Sequence, residues 1–337
     1  MKVIYILLLD ILCLLPACIR AQHFQTNDAT WLTQKFDDFN SLNEVTEWTN
    51  GYDWGDINNG LECNKDSNVT CQSGWLTLKA EKLVNPITCN TNLYYYRSGA
   101  VHSKFSYKYG YWEINAKMPI GYGFWPAFWV FGANASQCWW NEIDINEPSG
   151  EISESGLHTG FNYVWVDPSI SGDSGLSAGI TKTYVGLISD PHKYAVLWEP
   201  NRLTWFYDNK QIKTIHDPVF TPNHSIKTLI NFAIDPWFTP KPATVFPAEF
   251  KADYLRISQL DLDCNTASTI CTYNGLSSNK LRKSYTMGGS GCNTIIDIGV
   301  ENPFWATDFI LLQENTTVNR VTGGGGYALF YTTACPN

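Results

Sequence analysis

Apolar and polar residues alternate along most of this chain with a period of two, the spacing of a strand with one face buried. The runs "GWLTLKAEKL" (74–83), "GAVHSKFSY" (99–107), "GYWEINAKMP" (110–119) and "FWPAFWVFG" (124–132) read as strands bounded by Gly, Pro, Asn or Asp. So do "YAVLWEP" (194–200), "RLTWFYDNKQIKTI" (202–215), "TLINFAI" (228–234) and "FKADYLRIS" (250–258). Within 202–215, Asp208–Asn209 falls between two alternating halves, where a two-residue hairpin turn belongs. No stretch of a dozen residues carries a 3.6-residue period. The pattern predicts an all-β protein, an antiparallel sandwich with long loops at 52–73 and 165–181.

Composition agrees. Charged residues make up only 16% of the chain and aromatics 15%, with 14 Trp and 25 Gly, which suits a β fold with an aromatic-lined surface. A net charge of −9 supplies no basic face, so no nucleic-acid partner is expected. At 337 residues there is room for one large domain and a small one.

The pattern divides the chain in three. Residues 1–21, "MKVIYILLLDILCLLPACIRA", read as a secretion signal peptide: a basic start, a short apolar run and small residues before the cleavage point. No second apolar segment follows, so no transmembrane span is expected and the protein is read as secreted. "LPAC" at 15–18 offers an alternative, a lipoprotein signal that would anchor the chain at the cell surface through Cys18. Residues 22–260 hold the strand-like runs. Residues 261–337 form a small Cys-containing, β-rich C-terminal module, with a Ser/Asn/Lys-rich stretch near 276–284 and "GGGG" at 323–326. A tail of that size needs staples. Trp305 and Tyr327 would suit a sugar-binding appendage, and a structural or anchoring extension is an equal alternative. Behind the leader, Cys63, Cys71, Cys89, Cys138, Cys264, Cys271, Cys292 and Cys335 form an even set, expected as disulfides. No CxxC pair supports zinc. Sequons at Asn68, Asn134, Asn223 and Asn315 are compatible with export.

The chemistry concentrates in "NEIDINE" (141–147). On a regular strand Glu142 and Asp144 share a face and Glu147 falls on the other. A one-residue bulge at Ile145–Asn146 would return Glu147 to the face of the first two and leave Ile143 for the core. An alternating acidic strand is commonly just a solvated face. Here "GYGFWPAFWVFG" (121–132) sets Trp125, Ala127 and Trp129 on one face just before it, and "CWW" (138–140) leads directly into it. Trp rings stack on the apolar faces of pyranoses. Two carboxyl groups about 5–5.5 Å apart are what retaining glycoside hydrolysis requires, and a third between them keeps one protonated near neutral pH.

From about residue 35 to 258 the sequence resembles glycoside hydrolase family 16. "FSYKYGYWEINAKMP", "GFWPAFWVFG", "NEIDINE", "HKYAVLWEPNRLTWFYDNKQI" and "FPAEFKADYLRI" look like successive segments of that family, in its order. The motif is the bulged Glu-x-Asp-x-x-Glu form. The resemblance implies a β-jelly-roll sandwich with a concave carbohydrate cleft. It makes Glu142 the nucleophile, Asp144 its helper and Glu147 the acid/base. It assigns Trp125, Trp129, His158 ("GLHTGF") and Trp237 ("IDPWF") to substrate binding. Asn59 in "INNGLE" matches an Asn–Asn–Glu loop in which Gly60 replaces the acid. No cofactor or metal is expected for the chemistry. Some members carry a structural calcium, for which Asp253 is the residue the resemblance suggests, although no metal-loop signature surrounds it.

The implied partner is a polysaccharide, and the protein is expected to act as a monomer. Met118 to Thr181 contains no Lys or Arg, whereas a sulfated galactan calls for cations. The expectation is therefore an endo-acting hydrolase of β-1,3- or mixed β-1,3(1,4)-glucan such as laminarin. An endo-galactanase of the agarase, porphyranase or carrageenase type is the alternative. A non-catalytic β-glucan-binding protein of the same fold is the second, and such a protein would have lost the acids.

Overall fold

The computed structural model describes side chains for residues 33–44, 46–132, 141–152, 190–199, 202–215 and 224–259. The strands at 157–166, 176–185 and beyond 260 are described by backbone and register.

Each alternating run forms the strand it predicts. β1 (Trp31–Asp37), β2 (Trp48–Asn50), β3 (Glu62–Asn64) and β4 (Val69–Gln72) precede the long β5 (Trp75–Cys89), which turns back as β6 (Asn92–Ser98). β7 (Ala100–Tyr107), β8 (Gly110–Lys117), the short β9 (Gly121–Tyr122) and β10 (Phe124–Asn134) follow. Then come β11 (Trp139–Ile152), β12 (Leu157–Val166), β13 (Leu176–Val185), β14 (His192–Glu199) and β15 (Arg202–Tyr207). β16 (Lys210–Ile215), β17 (Ile226–Ile234) and β18 (Ala248–Leu260) complete the sandwich. The hairpin between β15 and β16 turns at Asp208 and Asn209, both with positive φ (48° and 62°), as a type I′ turn demands.

Two sheets result. The back sheet runs β16-β15-β14-β8-β18-β5-β6-β3, and the cleft sheet runs β13-β12-β11-β10-β17-β7-β2. This is a β-jelly-roll sandwich. Between the sheets, Leu76, Trp112, Ile114, Trp198 and Trp205 of the back sheet pack against Phe124, Phe128, Ile143, Ile230 and Phe232 of the cleft sheet. Burying side chains of this size contributes roughly 1.5–3 kcal/mol each. Pro126 sits in β10, a central strand, where proline is normally excluded. It is tolerated because the β10–β11 ladder starts only at Phe128, leaving Pro126 paired with β17 alone.

Several expectations are corrected. Of the loop predicted at 165–181, residues 165–166 and 176–181 are strand, because β12 and β13 form a ladder from Leu157↔Val185 to Val166↔Leu176; residues 167–175 lie outside the described residues. Segment 52–73 contains β3, a 3-10 turn at Asp66–Asn68 and β4. Asn68 is buried, its amide donating to the Lys79 carbonyl at 2.7 Å and to Glu81 at 3.0 Å, so this sequon is closed to a glycan. Of the cysteines, Cys63 and Cys89 form a disulfide, whereas Cys71 is a half-buried free thiol that burial pushes up to about 12. The side chains of Cys138, Cys264, Cys271, Cys292 and Cys335, and all of residues 1–30 with Cys18, lie outside the described residues.

Beyond the sandwich the backbone forms β19 (Leu262–Ile270), β20 (Leu281–Met287), β21 (Thr294–Asp297), β22 (Asn302–Leu312), β23 (Thr316–Asn319) and β24 (Ala328–Thr332). They pair in parallel, as a β19-β20-β22-β24 sheet and a β21-β23 pair; among the described residues neither is hydrogen-bonded to the sandwich sheets. Among the described residues, no helix is long and apolar enough to cross a membrane.

Candidate active site

The bulge forms where the parity of the acids requires it. Glu142 pairs with Phe131 on β10 and Trp165 on β12, and Asp144 pairs with Trp129 and Tyr163. The register then slips: β11 advances three residues from Asp144 to Glu147 while β12 advances two, from Tyr163 to Phe161. On the other side Trp129 faces Asp144 and Phe128 faces Asn146, so the β10 register steps past Ile145. Ile143 and Ile145 join the core, and the Asn146 amide lies 3.6 Å from the sulfur of Met118, itself a core residue. With Ile145 and Asn146 both directed inward, Glu147 returns to the cleft beside Glu142 and Asp144.

The core also holds the bulge from behind. Trp205, on the opposite sheet, donates its indole N–H across the interior to the backbone carbonyl of Asp144 at 2.9 Å. The carbonyl at the edge of the bulge thereby has a partner inside the core.

The three acids form the floor shared by two adjoining depressions. One extends over Trp129 and Phe131 towards Trp54, Asn58 and Asn59, with Asn231 and Ala233 of β17 below. The other extends over Ser149 towards Trp237 and Phe238. Trp125 borders both. Its indole N–H donates to Glu147 Oε1 at 2.7 Å, and its ring meets that of Trp237 edge-on, centroids 5.2 Å apart. Trp129 is fixed by a 2.7 Å bond to Asn231 Oδ1. Trp237 remains 71% exposed, a free face at the rim. Its loop is held by Asp235, whose Oδ1 accepts from the N–H groups of Trp237 and Phe238 at 2.8 and 3.0 Å. The loop docks at Gly123, where a Cβ would lie 2.4 Å from Pro240 N, and φ is +86°.

Electrostatics separates the three carboxyls. Asp144, only 3% exposed, is pushed far up by burial, then by the charges of Glu147 and Glu142, and finally by its hydrogen bond to Glu142. Each of these causes favours the protonated form of Asp144, the form that can donate that bond. Glu147 is pushed up to about 8 by burial and by the charge of Glu142, against the opposing bond from Trp125. The cluster can thus present one carboxylate supported by a neutral neighbour, and one acid still holding its proton at pH 7.

Of the residues singled out from sequence, Glu142, Asp144, Glu147, Trp125, Trp129, Trp237 and Asn59 line this cleft. His158 lies on β12 at the register position opposite the core residue Ile152; its side chain is outside the described residues. Asp253 accepts a 2.9 Å bond from Asn115. Among the described residues, the His/Cys/Asp/Glu group close enough to share an ion is Asp56 with Cys63 and Cys89, and these cysteines are in a disulfide. Sequence reading missed Trp54, Asn58, Phe131, Asn231 and Phe238. Phe131 was legible as the next member of the Trp125–Ala127–Trp129 alternation. Asn231 emerges only from its register opposite Ala127.

A model of the family described as Glycosyl hydrolases family 16 matches residues 58–234. The endo-1,3-1,4-beta-glycanase EglC of Rhizobium meliloti is 31% identical over 268 residues, 70% of this chain and 54% of its own length. The chain thus spans about half of that relative. The endo-beta-1,3-glucanase structure from Pyrococcus furiosus superposes with a TM-score of 0.56 at 26% identity, covering 68% of this chain and 95% of that one. Porphyranase B from Zobellia galactanivorans shares the fold, with a TM-score of 0.59 at 19% identity over 71% of this chain and 99% of the other.

Proposed function

Because this chain belongs to glycosyl hydrolase family 16, we propose that it is a retaining endo-hydrolase of β-1,3- or mixed β-1,3(1,4)-glucan. Glu142 is the nucleophile, Glu147 the acid/base and Asp144 the helper. The observation that carries this reading is the bulge, which sets the three carboxyls on the floor of one cleft between two aromatic arms. A cleft running past the acids on both sides suits an internal cut in a long chain.

The reaction follows from the protonation pattern. Glu147, protonated at pH 7, gives its proton to the glycosidic oxygen as the bond to the anomeric carbon breaks. Glu142 attacks that carbon from the opposite face and forms an α-linked glycosyl-enzyme. Asp144 keeps its proton and its hydrogen bond to Glu142, fixing which oxygen attacks. Glu147, now ionised, takes a proton from water, and the resulting attack releases Glu142 and a β-configured product.

The described cleft lining contains no Lys or Arg, which favours a neutral glucan over a sulfated galactan. The retained acids favour catalysis over binding alone. We further propose export as a monomer after removal of residues 1–21, a compartment in which the Cys63–Cys89 disulfide is stable, with 261–337 as a separate module. The decisive experiment is a reducing-end assay on laminarin, lichenan, agarose, porphyran and κ-carrageenan in parallel. Turnover confined to the galactans would replace the substrate assignment, and turnover of none would leave the binding reading.

A further inference from the structure

The loop walling the Trp54 arm is shaped by an acid that never reaches the cleft. Glu62, the first residue of β3, is fully buried. Its Oε2 accepts a 2.6 Å hydrogen bond from the N–H of Ile234, the last residue of β17, while Leu61 N–H donates to the Ile234 carbonyl at 2.9 Å. These two bonds tie the loop carrying Asn58 and Asn59 to the strand carrying Asn231 and Ala233, all four of them cleft residues.

Gly60 belongs to the same arrangement. A Cβ there would lie 2.1 Å from Glu62 Oε2 and 2.7 Å from Oε1, and its φ is outside the left-handed region. Space, not backbone conformation, demands glycine: the Glu62 carboxyl fills the volume a side chain at 60 would take. The same acid faces Tyr52, which is buried behind Trp54 and stacked on it at 5.1 Å and 9°. Glu62 thus bears on both parts of the arm. Among the described residues no cation faces it, and burial pushes the carboxyl up to about 7, with the N–H groups of Ile234 and of Glu62 itself pulling it back. Among the described residues, Oε1 has no hydrogen-bond partner. A buried acid without a salt bridge contributes little to stability on its own account, which leaves the geometry of the loop as its effect.

We propose that Glu62 is a positioning residue for the Trp54 arm. It occupies the missing side-chain volume of Gly60 and clamps the loop to β17, so that Asn58 and Asn59 face a bound sugar chain. This rests on the reading of the cleft as a glucan site.

The test uses full-length Glu62→Ala, Glu62→Gln, Gly60→Ala and the double variant Gly60→Ala/Glu62→Ala. It measures KM and kcat on laminarin, Tm, and amide hydrogen exchange over residues 57–62. Glu62→Ala is expected to raise KM about tenfold with kcat within about twofold, and to speed exchange at 58–61. Glu62→Gln keeps an oxygen for the Ile234 N–H and returns both to near wild type. Gly60→Ala displaces the carboxyl and reproduces the KM rise, but adds nothing when Glu62 is already Ala. A Glu62→Ala protein with lowered Tm but unchanged KM and exchange would overturn the proposal, as would full additivity in the double variant. If Glu62→Ala does not fold, Gly60→Ala decides: unchanged KM and exchange there would equally overturn it. Absence of wild-type turnover on any β-glucan sinks the substrate reading instead, and exchange at 58–61 still decides the role of Glu62.

Discussion

Replacing Trp125 with Phe removes one hydrogen bond from the acid/base and leaves an aromatic ring in the cleft. The bond lost is the 2.7 Å contact from the indole N–H to Glu147 Oε1. It favours the charged form of Glu147, which burial and the charge of Glu142 otherwise push up to about 8. Hydrogen bonds to charged groups contribute about 1.5–3 kcal/mol, and a pKa unit corresponds to about 1.4 kcal/mol. Water entering the space of the indole N–H recovers part of that, so a further rise of about one unit is expected. The sign follows: a raised pKa keeps Glu147 protonated to higher pH, so the alkaline limb of kcat/KM moves upward, from about 8 towards about 9. The assay is a kcat/KM profile on laminarin from about pH 4 to 10, for wild type and Trp125→Phe, with Tm checked at each end. The limb reports the coupled cluster rather than one microscopic group, so its displacement, not its absolute position, is the observable. An alkaline limb that stays in place, or moves down, would refute both the role of Glu147 and the cause assigned to its shift.

Other outcomes follow from the same geometry. Glu142→Gln and Glu147→Gln should each abolish turnover while leaving Tm and the circular dichroism spectrum close to wild type; near-normal activity in either removes it from the mechanism. Azide should rescue Glu142→Ala to an α-glycosyl azide and Glu147→Ala to a β-glycosyl azide, and the reverse pattern would exchange the two roles. Early product followed by NMR should be the β anomer, since two inversions retain configuration; an α anomer rules out the double displacement. Reducing Cys63–Cys89, which closes a loop of 26 residues, should cost roughly 3–4 kcal/mol on the chain-entropy account. An unchanged denaturant midpoint after reduction would show that the β3–β6 pairing holds that corner without the covalent bond.

Much of this was legible in the chain because local pattern and packing agree. Strands such as β8 alternate Trp112, Ile114 and Ala116 inward, and the Asp208–Asn209 turn announces itself. The bulge was legible for the opposite reason: Glu147 breaks an alternation that its neighbours keep. What escaped depends on contacts distant in sequence. Asn231 enters the cleft because β17 pairs with β10 in one particular register, more than a hundred residues away in the chain. The sequon at Asn68 looks like any surface site until Lys79 and Glu81 are brought to its amide. The partner of Cys63 is fixed by the β3–β6 pairing and the β5–β6 turn, neither of which the cysteine spacing encodes.

The placement of the acids is finally a property of the interior. Glu147 reaches the cleft only because Ile145 and Asn146 both turn inward, and inward is where apolar burial draws Ile145. Asn146 has a cost: among the described residues its Oδ1 is buried without a hydrogen-bond partner, and its amide meets a thioether. A polar side chain so poorly satisfied lowers stability by about 1–3 kcal/mol. The packing of Ile143 and Ile145 and the Trp205 bond to the Asp144 carbonyl offset it. Trp205 stands on the opposite sheet, so its bond to the bulge exists only where the two layers are stacked in this register. Catalytic geometry and sheet packing are in this sense one assembly. A substitution at Trp205 that preserves the volume but not the N–H strikes the acids from behind, without touching any surface a sugar would meet.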